Sequence, residues 1–61
     1  MSLSQLFRRE FLLKVLITIG MVRLKNLTGL SEAHIENLVM GHSKITTVEI
    51  ESIYRALTKG A

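Results

Sequence analysis

Imidazoles and carboxylates are the side chains here with the widest chemical repertoire, and their spacing decides how little of it is usable. His34 and His42 stand eight positions apart with a helix end between them, a spacing that makes no metal pair. His34 and Glu36 lie two apart, so on a helix they point to nearly opposite sides. The acids are five glutamates, Glu10, Glu32, Glu36, Glu49 and Glu51, scattered along the chain with no second carboxylate type. There is no cysteine to supply a thiolate, and no glycine-rich loop to cradle a phosphate. A unit this small has no room for a substantial pocket. The reading is of a protein that is not an enzyme and that uses no metal or cofactor.

The groups that remain cluster around one turn. Leu24 to Leu38 reads L-K-N-L-T-G-L-S-E-A-H-I-E-N-L. Gly29 follows a run with helical spacing and can take a positive φ without steric cost, so the backbone can turn sharply there. Ser31 can then accept from the free N–H groups of the helix that follows. Two helices joined by so short a glycine turn form a helix-turn-helix pattern.

Four helices must position that turn. The first is expected over about 4–19, with Gly20 as its stop. Glu10, Lys14 and Thr18 line one stripe of it, and nearly every other position after Glu10 is apolar. A helix apolar almost all round has to be buried almost all round, and a small domain cannot wrap it. The leftover face predicts contact with a second copy or a partner protein through Phe7, Phe11, Leu12, Val15, Leu16 and Ile19. A strand over Val15 to Ile19, where β-branched residues gather, is the rival reading. Arg8 and Arg9 read as a solvated helix start, with contact to a nucleic-acid backbone as the minor alternative.

The second helix spans about 21–28, with Val22, Leu24 and Leu27 as its apolar positions. The third spans about 32–40 and presents Ile35, Leu38 and Val39 to the core. Gly41 ends it, and His42-Ser43-Lys44 forms an exposed polar loop. Thr46-Thr47-Val48-Glu49 matches a capping box and starts a fourth helix over about 47–58, closed by Gly60. Ile50, Ile53, Tyr54 and Leu57 give it an apolar stripe.

Composition agrees with this single all-α domain, residues 1–61. Proline, tryptophan and aspartate are absent, and glycines are few. At 61 residues stability is marginal without disulfides, which favours oligomers. The net charge of +3 is compatible with a polyanion partner. Phe11 to Val22 is too short for a transmembrane helix, is broken by Lys14 and lacks a signal-peptide cleavage site. A membrane role is not expected. Met1, Ser2 and Leu3 are compatible with a cloning remnant.

From Leu24 to Leu57 the chain resembles the Cro and lambda-repressor class of helix-turn-helix domains. Thr28-Gly29-Leu30-Ser31 is similar to that class's turn, and Gly41-His42-Ser43-Lys44 to its polar loop. Ile53 to Leu57, I-Y-R-A-L, is similar to its following core helix. There are departures. Lys25 stands where the class has a small alanine, Met21 where a phosphate-gripping glutamine is frequent, and Ile45 where a loop proline is frequent. The usual fifth helix is missing.

The resemblance implies a small lambda-repressor-like four-helix domain that binds double-stranded DNA as a homodimer. It implies a cytoplasmic, nucleoid-associated transcription regulator, Cro-like, of bacterial or phage type. Ser31, Glu32, Ala33, His34, Glu36 and Asn37 would face base edges. Asn37 would pair with adenine, Glu32 would accept from cytosine, and Ala33 would touch a thymine methyl. Arg23, Lys25, Asn26, His42, Ser43 and Lys44 would grip phosphates. Against this, Glu32 and Glu36 make the third helix acidic, and no Lys or Arg lies within Ser31 to Met40. The alternative is a protein-interaction module of the same fold, an antirepressor or adaptor, that does not read DNA.

Overall fold

A computed structural model describes residues 4–60 as four α-helices and no strand. Met1, Ser2 and Leu3, with the remnant question they carry, lie outside the described residues, as does Ala61. The helices are α1 (Gln5–Ile19), α2 (Met21–Thr28), α3 (Glu32–Met40) and α4 (Thr47–Gly60). Val15 to Ile19 is helical, so the strand alternative falls. Among the described residues, no helix is long and apolar enough to cross a membrane.

Each boundary has a chemical cause. Ser4 caps α1, its hydroxyl accepting from Phe7 N–H at 3.2 Å. Gly20 ends α1 and begins α2 at once, donating its N–H to Leu16 and accepting at its carbonyl from Leu24. Gly29 lies in the left-handed region at φ 77°, and its N–H closes on the Lys25 carbonyl, a single-bond αL cap. Ser31 caps α3, accepting from His34 N–H at 3.1 Å. At Gly41 the chain forms a Schellman pair, with His42 N–H on Asn37 O and Gly41 N–H on Leu38 O. The box at α4 is complete: Thr46 N–H donates to Glu49, and Glu49 N–H donates to the Thr46 hydroxyl. Nothing stops α4 at 58, and it runs on through Gly60 instead of being closed by it.

Every helix contributes to one core. Leu12 and Val15 from α1, Leu24 from α2, Ile35 and Leu38 from α3, and Ile53 and Ala56 from α4 are buried together with Ile45 of the α3–α4 loop. The small Ala56 lets α4 lie close against its neighbours, and α4 packs mainly on α1 and α2. Val39, Ile50 and Leu57 pack around the edge. Val22, Leu27 and Tyr54 turn outward. Tyr54 stands about 100° round the helix from Ile53, off the buried stripe, and stacks on Phe11 with ring centroids 6.3 Å apart.

Two readings of α1 need correction. Arg8 is not a solvated helix start but is buried, with 7% of its surface accessible. Its guanidinium donates to the Ile45 carbonyl at 2.7 Å and reaches the Thr47 hydroxyl at 3.5 Å. Leu12 and Val15 cannot form a contact with a second chain, because both are fully enclosed by this chain's own helices. Phe11, Leu16 and Ile19 are half-buried against the same core. Phe7 remains exposed, and the outward apolar face of α1 is completed by Leu6, Leu13 and Ile17.

Candidate functional site

Gly29-Leu30-Ser31 is the whole link between the second and third helices. Ile35 and Leu38 anchor α3 in the core, so the residues between and before them are pushed outward. Ser31, Glu32, Ala33, Glu36 and Asn37 are all exposed on that outer side. The Ser31 hydroxyl is already occupied as the helix cap.

His34 is the exception on this helix. It is half-buried, and its Nε2 lies 2.5 Å from Glu49 Oε2, tying the start of α3 to the start of α4. Partial burial works to raise the Glu49 carboxyl. The Thr46 N–H, the His34 ring and the Thr46 hydroxyl outweigh it and hold the group below its ordinary value of 4.5. At neutral pH Glu49 is therefore an acceptor only, and the ring must donate its Nε2 proton. His34 is thus less a free outward group than a strut that sets the pitch of α3.

Around this helix the cations divide. Lys25 is half-buried with its ammonium 3.7 Å from Glu32, while Leu24 takes the packing beneath. The long stem lies on the domain and its charge offsets one of the two acids of α3. Both side chains are more than a third open to solvent, which screens the pair, so it adds little stability. Arg23 and Asn26 are exposed on α2. His42, Ser43 and Lys44 are exposed in the loop beyond α3. They sit on a rigid base, since Gly41 fixes one side of the loop and buried Ile45 fixes the other.

The structure also brings in Arg9, from α1. Its guanidinium lies over Gly41, so close that a Cβ on Gly41 would come within 2.5 Å of Nη1. Gln5, Arg9, Gly41, Ser43 and Lys44 line one shallow groove between α1 and the loop. A second, wholly apolar groove lies between α1 and α4, lined by Phe7, Phe11, Ile50 and Tyr54 with Glu51 at its side. Sequence reasoning missed the roles of Gln5 and Arg8, though a signal was there. Residues 5, 8, 12, 15 and 19 follow one heptad stripe, and a stripe that buries Leu12 and Val15 carries Arg8 inward too.

No protein-family model, curated protein or solved structure matches this chain. The likeness to the Cro class therefore rests on the residues quoted above. The geometry of the two sides of α3 must be weighed on its own chemistry.

Proposed function

We propose that this domain is a small DNA-binding transcription regulator that reads the major groove with α3. The observation that carries the reading is the two-sided character of α3. Ile35 and Leu38 hold it down while Ala33, Glu36 and Asn37 face solvent, on a helix that follows α2 after a three-residue link. Such a helix can enter a major groove, and its first two turns then reach base edges. Asn37 supplies the amide that pairs with adenine, Glu32 an acceptor for cytosine N4, and Ala33 a contact for a thymine methyl. Arg23, Lys25 and Asn26 on one flank, and His42, Ser43 and Lys44 on the other, bear on the two phosphate strands. Two copies would read half-sites about 34 Å apart and act as a repressor by occupying a promoter.

A second reading is favoured by a specific observation, the apolar groove of Phe7, Phe11, Ile50 and Tyr54 beside the outward leucine and isoleucine side chains of α1. Together with Glu32 and Glu36 it suits a helix-turn-helix-fold adaptor that binds a partner protein. Selection from a random duplex pool at near-physiological salt separates the two. Enrichment of a two-fold symmetric motif is the expected result. A folded protein that enriches nothing overturns the DNA reading in favour of the adaptor.

A further inference from the structure

We propose that Arg9 completes a phosphate seat with Ser43 and Lys44 in the groove between α1 and the α3–α4 loop. The occupant is a backbone phosphate of bound DNA, so the inference rests on the reading above and adds to it a contact from α1.

The groove brings Arg9, Ser43 and Lys44 to one concave surface, and no carboxylate lines it. Several other cations of the domain have partners. Lys25 faces Glu32, Arg55 faces Glu51, and Arg8 is spent on the Ile45 carbonyl. Among the described residues, neither the Arg9 nor the Lys44 side chain has a hydrogen-bond or ion-pair partner. Two like charges held beside one groove repel, and an oxyanion between them relieves that repulsion. Arg9 supplies a planar fork of donors that suits a phosphate, and Lys44 a point charge.

The groove floor is also fixed in advance. Gly41 has no side chain at the one place where Arg9 crosses the loop, and the Schellman pair holds the backbone there. Gln5 and Arg8 clamp Ile45 on the other side. Arg9 also lies at the carbonyl end of α3, where a cation is favourable for helix stability alone. That simpler role predicts a change in melting for an Arg9 variant and no change in how binding responds to salt.

The test measures duplex binding by fluorescence anisotropy across a salt series for the wild type, Arg9→Gln, Lys44→Gln and Lys59→Gln. Circular dichroism melts confirm that each is folded. Each seat variant should bind several-fold more weakly and lower the log–log salt slope by about 1, because one phosphate contact is lost. Lys59→Gln, remote on α4, should match the wild type. If the wild type binds and Arg9→Gln keeps the full slope, the seat is wrong and the DNA reading stands. If the wild type binds no duplex, inorganic phosphate followed by amide NMR shifts decides. Shifts over Gly41 to Lys44 that Arg9→Gln abolishes would keep the seat and remove the DNA reading. Unmoved amides would overturn both.

Discussion

The side-chain amide of Gln5 brackets the backbone of Ile45, its Oε1 accepting from the Ile45 N–H at 2.7 Å and its Nε2 donating to the carbonyl at 2.9 Å. Arg8 donates to the same carbonyl. The first turn of α1 thus grips the loop after α3 as a neighbouring strand would. Gln5→Ala leaves the Ile45 N–H without its partner and is expected to cost about 1–2 kcal/mol. Arg8→Ala removes a charged hydrogen bond and its packing and should cost about 2–3 kcal/mol. Urea midpoints check both, and equal midpoints for wild type and Gln5→Ala would refute the clamp.

Residues on opposite sides of α1 should behave oppositely. Leu12 is fully enclosed, and Leu12→Ala should cost about 2–5 kcal/mol, enough to unfold much of so small a domain. Ile17 is 82% exposed, and Ile17→Gln should change stability by no more than about 0.5 kcal/mol. Thermal melts of the two variants give the comparison directly.

The glycines that end α2 and α3 share a left-handed backbone but not a neighbourhood. At Gly29 a Cβ would meet nothing within 4 Å, so Gly29→Ala bears only the conformational penalty of about 1–2 kcal/mol. At Gly41 the same methyl would also displace the Arg9 guanidinium. Gly41→Ala should therefore be the more damaging of the two. In an Arg9→Gln background the gap should shrink, and a gap that stays the same would show that Arg9 is not the obstacle.

Acid should expose the worth of Glu49. Its carboxyl is held below 4.5 in the fold, so its contribution is complete above that pH and disappears as pH falls through the lowered value. At pH 7 Glu49→Gln should be less stable than the wild type by about 0.5–1 kcal/mol, because the amide still accepts from Thr46 N–H but loses the charge at the helix N-terminus. Melts from pH 7 to pH 3 should show the two proteins converging below pH 4.5. A constant difference down to pH 3 would contradict the assignment.

The helices at 21–28 and 32–40 were readable residue by residue because Gly20, Gly29, Ser31 and Gly41 each carry a local rule for starting or stopping. The capping box at Thr46 was equally plain, since both of its bonds lie within four residues. What escaped was set by contacts between distant segments. Arg8 beside Arg9 looks like a solvated pair until the heptad stripe through Leu12 is extended backwards. Tyr54 fits an apolar spacing, yet it lies about 100° round α4 from Ile53, and Ala56 on the other side of Ile53 is the residue that is buried. The candidate site was legible as a set of outward polar residues on α3, while the approach of Arg9 to Gly41 has no counterpart in local spacing. His34 likewise gave no sign that α4 would claim its ring.

Gly20 is the single position between α1 and α2, whereas six positions, 41–46, separate α3 from α4. The first junction consequently has no slack. One residue added to the last turn of α1 would turn everything downstream by about 100° relative to the start of α1, swinging Leu24 out of line with Leu12. The second junction is longer, and an added residue after Ser43 would fall between the Schellman pair and the clamped Ile45. The chain is therefore unequally free to vary in length, rigid at its first corner and accommodating at its last.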